Sequence, residues 1–115
     1  MQTINAQQVK HMWDRGEDFV LVNTLPADQF PATKIPGAVN IPEASDDFVG
    51  RVLQKAEDKG KPLVVYGANR SCECAASAAK KLLDASFEDV WVFEEGAQGW
   101  REFMKAKRSL GAARW

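Results

Sequence analysis

Cys72 and Cys74 are the chain's only two cysteines, and their chemistry is the most distinctive in the sequence. Lying two positions apart, they would close a very small, strained ring if bonded to each other. A small secreted scaffold would instead spread four to eight cysteines along its length. Zinc is disfavoured, because C-x-C supplies half a tetrahedral shell and the single histidine, His11, lies about sixty positions away. No metal and no cofactor are expected. The pair therefore reads as free thiols in a reducing compartment, and a thiol becomes a nucleophile where its surroundings favour the thiolate.

Such surroundings need elements to build them. Asn5 is a plausible N-cap for a first helix through Val9, Met12 and Trp13, stopped at Gly16. Phe19–Val22, Leu63–Tyr66 and Asp89–Phe93 are short continuous apolar runs that read as buried strands, and Ala38–Ile41 reads as a shorter one. Pro26 to Phe30 suggests one helical turn. Ser45 is placed to cap a second long helix with Val49, Val52, Leu53 and Ala56 inward. An Ala-rich helix spans roughly Cys72 to Ala85, and Trp100, Phe103 and Met104 mark a last amphipathic helix. Strands alternating with helices predict an α/β fold: one domain over residues 1–115, with a central, mostly parallel sheet and helices on both faces. In such folds a ligand sits beyond the carboxyl ends of the strands, where a loop enters a helix. Gly67-Ala68-Asn69-Arg70-Ser71-Cys72 is that loop here. Its amides and the positive end of the helix dipole would form an anion-binding nest.

Composition narrows the function classes. Fifteen Lys and Arg balance sixteen Asp and Glu for a net charge of −1, which argues against a dedicated nucleic-acid binder. No apolar run approaches the roughly 18 residues needed to cross a membrane. The polar N-terminal stretch lacks the apolar core of a signal peptide, so the expected location is the cytoplasm.

Four segments carry a family resemblance: FVLVNTLPADQF, KIPGAVNIP (residues 34–42), PLVVY (residues 62–66) and FEEGAQGW (residues 93–100). In order and spacing they resemble the first strand, the H-I-P-G-A-x-N-I-P signature, the strand before the active-site loop, and the closing E-G-G-x-x-x-W pattern of single-domain rhodanese-like proteins. The resemblance implies the rhodanese-like fold and a sulfurtransferase activity. In that family a cysteine directly after the V-V-Y strand takes sulfane sulfur from a small anionic donor such as thiosulfate. It forms a persulfide and passes the sulfur to a thiol or other nucleophilic acceptor. No nucleic acid or membrane partner is implied, and no protein partner is identified.

The chain departs from the pattern at the nucleophile. Gly67 stands in the usual cysteine slot, Asn23 where aspartate is usual, Lys34 in place of histidine and Glu95 in place of glycine. Cys72, the sixth loop residue, resembles the second cysteine of one subgroup and is the candidate relocated catalytic residue, with Arg70 two positions before it. Both the helix start and that cation favour thiolate. Cys74, about 200° further round the expected helix, reads as a small apolar residue among alanines. Arg70 is an anion clamp or a solvated residue, and Lys34 and His11 read as surface residues. Trp13, Trp91 and Trp100 read as core. The tail from Arg101 to Trp115 carries five basic residues against one acidic, a weak docking surface or a solvated helix face.

Gly67 is expected to leave the missing sulfur's volume empty, and Gly67→Cys to restore a reactive thiol if the remaining loop is a preserved nest, or to give an ordinary thiol if the pocket serves binding alone. A related phosphatase chemistry is excluded by Gly67 and by Glu73, which would repel a phosphoester. Two classes remain: a domain handling sulfane sulfur, through Cys72 if at all, and a catalytically silent binding or regulatory module of the same fold.

Overall fold

The computed structural model describes the backbone of residues 2–113 and the side chains as far as residue 108; Met1, Arg114 and Trp115 lie outside the described residues. Strand β1 is Gln2–Ile4, helix α1 Ala6–Asp14 and strand β2 Val20–Asn23. A 3-10 turn at Ala27–Gln29 runs into α2, Phe30–Thr33. Then follow β3 (Val39–Asn40), α3 (Phe48–Ala56), β4 (Leu63–Tyr66), α4 (Cys74–Asp84), β5 (Val90–Phe93) and α5 (Gly96–Ala113).

The five strands form one sheet in the order β1-β5-β4-β2-β3, and every pairing is parallel. β4 lies at its centre, in register with Asn23 of β2 and Phe93 of β5 through Tyr66. Its four residues are all fully buried because both faces are covered. Alternation divides the strands between two cores. Val20, Val22, Leu63 and Val65 pack with Val52 of α3 and Ala78 and Leu82 of α4. Leu21, Val64, Tyr66 and Phe93 pack with Val9 of α1 and Trp100 of α5. The buried face of α4 includes Ala75, Ala78 and Ala79, which favour helix and, being small, let it lie close against the sheet.

Several expectations meet corrections. β1 had no apolar run to announce it; it is a three-residue edge strand, mostly exposed, formed by pairing with β5. Asn5 does cap α1, in a reciprocal pair with Gln8, and Gly16 beyond its end has φ +68°. Ser45 does not cap α3: that helix begins at Phe48 after Asp47, and Ser45 contributes its carbonyl to a turn. The Ala-rich helix starts at Cys74, not Cys72. Trp13 is 45% exposed, lying against Gly37 and edge-on to Phe19. Among the described residues, no helix is long and apolar enough to cross a membrane.

Candidate functional site

β4 delivers the loop and α4 receives it. Thr24 ties the strand ends together, its amide and hydroxyl both donating to the Tyr66 carbonyl at 3.0 and 2.9 Å. Beneath, the Tyr66 hydroxyl donates to the Thr33 carbonyl at 2.9 Å and accepts from the Ile35 amide and Asn23 Nδ2, each at 3.0 Å. Burial pushes the Tyr66 phenol upward, opposed by the bonds from Ile35 and Asn23. The network accounts for asparagine at position 23. Its Nδ2 faces the oxygens of Thr33 and Tyr66, while its Oδ1 accepts from the Leu25 amide at 3.0 Å. A carboxylate would present an oxygen where a donor is needed.

The loop is held on its other side by α5. The carbonyls of Gly67 and Ala68 accept from the amides of Ala97 and Gln98 at 3.0 and 2.9 Å. Gly96, with φ +63°, makes this approach possible, since a side chain there would run into the backbone of Gly67, Ala68 and Asn69. Within the loop the amides of Ser71 and Cys72 turn back onto Asn69, to its Oδ1 at 2.9 Å and its carbonyl at 3.1 Å.

The principal correction concerns the cysteines. Cys72 and Cys74 are bonded to each other, and neither is a free thiol. The chain turns into α4 at Glu73 (φ −82°, ψ −6°), which brings the two Cα atoms to 5.5 Å, a separation a disulfide spans. The expectation of opposite helix faces fails because Cys72 precedes the helix, so helical spacing does not relate the two. Both sulfurs converge on Gly67. A Cβ built there would lie 2.5 Å from Cys74 Sγ and 2.9 Å from Cys72 Sγ. The slot is therefore filled, not empty. Cys74, which reads in the sequence as a small apolar residue, is the partner of Cys72; the signal was its nearness to Cys72, legible only with the helix start known.

Two clefts border the pair. One, of about 670 Å³, reaches both cysteines and is walled by Thr24–Ala27 and Pro42–Ser45. Its Glu43 carboxylate accepts from Ser77 Oγ at 2.6 Å and pairs with Lys81 at 2.9 Å. The Ser77 bond, then Lys81, hold that carboxyl below its ordinary range against a smaller opposing effect of burial. The other cleft, of about 310 Å³, reaches Cys72 but not Cys74 and includes Arg70, Glu73 and Glu94. Arg70 is paired with Glu94 at 3.7 Å, so its charge is partly committed. Lys34 is exposed and stacks over Phe30. His11 is exposed and lines a separate groove that includes Pro62 and Asp89, which precede β4 and β5, at the opposite end of those strands from the loop. Among the described residues there is no cluster suited to hold a metal ion.

Comparison with known proteins agrees with this architecture. The chain is 36% identical over 86 residues to the Escherichia coli (strain K12) protein YibN, described as uncharacterized, covering 73% of this chain and 57% of that one. It is 32% identical over 88 residues to the adenylyltransferase and sulfurtransferase UBA4 of Meyerozyma guilliermondii, covering 75% of this chain and 21% of that protein. It thus spans little more than half the length of YibN. Among solved structures, the Alr3790 protein of Anabaena sp. superposes with a TM-score of 0.76 at 26% identity, covering 87% of this chain and 86% of that one. A thiosulfate sulfurtransferase of Pseudomonas aeruginosa shares the fold with the same TM-score of 0.76, at 24% identity, over 88% of this chain and 19% of its own. The sequence model of the rhodanese-like domain matches residues 5–103. With that match over most of its length, the chain belongs to the rhodanese-like domain family.

Proposed function

We propose that residues 1–115 act as one sulfane-sulfur-handling domain in which Cys72, paired with Cys74, supplies the thiol that Gly67 lacks. The observation that carries this reading is the convergence of both sulfurs on the volume a side chain at Gly67 would occupy. On this reading a sulfur supplied from beside the start of α4 takes the role that the family pattern gives to one at the end of β4.

In the reduced state, the Cys72 thiolate attacks the outer sulfur of a small anionic donor such as thiosulfate. The donor's S–S bond breaks, its electron pair leaves with sulfite, and Cys72 carries a persulfide. A thiolate acceptor then attacks the terminal sulfur and Cys72 departs as thiolate. The start of α4 favours both thiolate forms.

Mass spectrometry of the reduced Cys74→Ser chain, in which Cys72 is the one remaining thiol, after thiosulfate or inorganic polysulfide tests this. A gain of one sulfur atom located on Cys72, lost in Cys72→Ser, is expected. No adduct on reduced protein with either donor would overturn the reading. It would favour the second one, a catalytically silent binding module, which the absence of a free thiol among the described residues supports.

A further inference from the structure

We propose that Cys74 is a resolving cysteine, which converts the Cys72 persulfide into the Cys72–Cys74 disulfide and releases hydrosulfide. The inference rests on the sulfur-transfer reading above and adds a different product. The domain would then be a dithiol-dependent sulfane-sulfur reductase as well as a carrier.

Three observations bear on it. The two sulfurs reach bonding contact in the folded chain, so no rearrangement of α4 is required for one to attack the other. Cys72 borders both clefts whereas Cys74 borders only the larger one. A sulfur delivered to Cys72 from the Arg70 side would therefore arrive through a cleft that Cys74 does not border. A displacement at the inner sulfur needs the attacking thiolate and the leaving sulfur on different sides of Cys72 Sγ, which entry by separate clefts favours. Finally, Cys74 is the first residue of an eleven-residue helix, where the exposed amides and the dipole stabilise a thiolate.

The step balances. The Cys74 thiolate attacks Cys72 Sγ of the protonated persulfide, the new Sγ–Sγ bond forms, and the bond to the outer sulfur breaks. The outer sulfur leaves as hydrosulfide with its proton and the electron pair. The two cysteine thiols are oxidised by two electrons, and the sulfane sulfur is reduced to sulfide. An external dithiol then reduces the disulfide by thiol–disulfide exchange and is itself oxidised to a disulfide. The larger cleft gives that dithiol access to both sulfurs.

The test is a single turnover of pre-reduced protein, freed of reductant, with thiosulfate. The wild-type chain is expected to release one hydrosulfide per chain, to lose both thiols to alkylation and to retain no persulfide. Cys74→Ser is expected to hold the persulfide on Cys72 and to release hydrosulfide only when dithiothreitol is added. Hydrosulfide yields from wild type no greater than from Cys74→Ser, with persulfide retained by both, would overturn the resolving role and leave sulfur transfer standing. If neither protein takes up sulfur, the sulfur-transfer reading itself fails, and this inference with it.

Discussion

Cys74 places its sulfur 2.5 Å from the point where a side chain on Gly67 would begin. A side chain at position 67 would meet the sulfur pair, so Gly67 and the start of α4 form one packing problem.

Gly67→Ala should therefore destabilise the chain by about 1–3 kcal/mol, the usual range for overpacking. In a Cys72→Ala/Cys74→Ala background the same change should cost less than about 1 kcal/mol, since the crowding sulfurs are gone. Urea unfolding of the four proteins measures the coupling. For the same reason Gly67→Cys should become a reactive thiol, with a pKa below about 8.5, only in that double-alanine background. Equal penalties in both backgrounds would refute the steric link.

Tyr66→Phe should cost about 2–3 kcal/mol, because the Ile35 amide, Asn23 Nδ2 and the Thr33 carbonyl each lose a buried partner. Stability should also vary with alkaline pH. The folded pKa of Tyr66 is raised above its ordinary 10.0, so its contribution is fully present below that value and is lost as pH rises through the folded value. A denaturant midpoint that falls at high pH in wild type, and falls less in Tyr66→Phe, is the expected result.

Glu43 gives the opposite sign. Its pKa is lowered from 4.5 by Ser77 and Lys81, so its contribution is present above that value and is lost as pH falls through the folded value. Glu43→Gln should flatten the decline in stability as pH falls below the ordinary carboxyl value of 4.5. Equilibrium unfolding at a series of acid pH values checks it, and a decline unchanged in Glu43→Gln would count against the role of this carboxylate.

Glu94→Gln should release Arg70 toward an anion arriving at Cys72. The pair is 3.7 Å long with side chains 69% and 50% exposed, so the effect is small. We expect kcat/KM for thiosulfate to rise about two- to fivefold at low ionic strength, the equivalent of an exposed ion pair, and the gain to shrink as salt is added. Steady-state assays over a salt series decide it. A rate unmoved by both Glu94→Gln and Arg70→Ala would mean that the donor does not use this cleft.

The sequence by itself determined the α/β class, the parallel sheet and the loop, because four-residue apolar runs between amphipathic helices bury themselves in few other ways. It also singled out Gly67 and Cys72, the two residues that could be read against a recognisable pattern. β1 was not legible: its three residues are strand by virtue of pairing with β5, and mostly exposed residues carry no period. Trp13 was misread because, at the end of a helix that buries Ala6 and Val9, it lies out over Gly37 instead of entering the core. Asn23 looked like a departure from a pattern until its donor was seen against the oxygens of Thr33 and Tyr66, brought from other parts of the chain. Only the tertiary structure decided the fate of the cysteines. Where α4 begins depends on how β4, α5 and the Gly96 turn hold the loop, and a shift of two residues in that start moves Cys74 from an apparent place among alanines to the sulfur of Cys72.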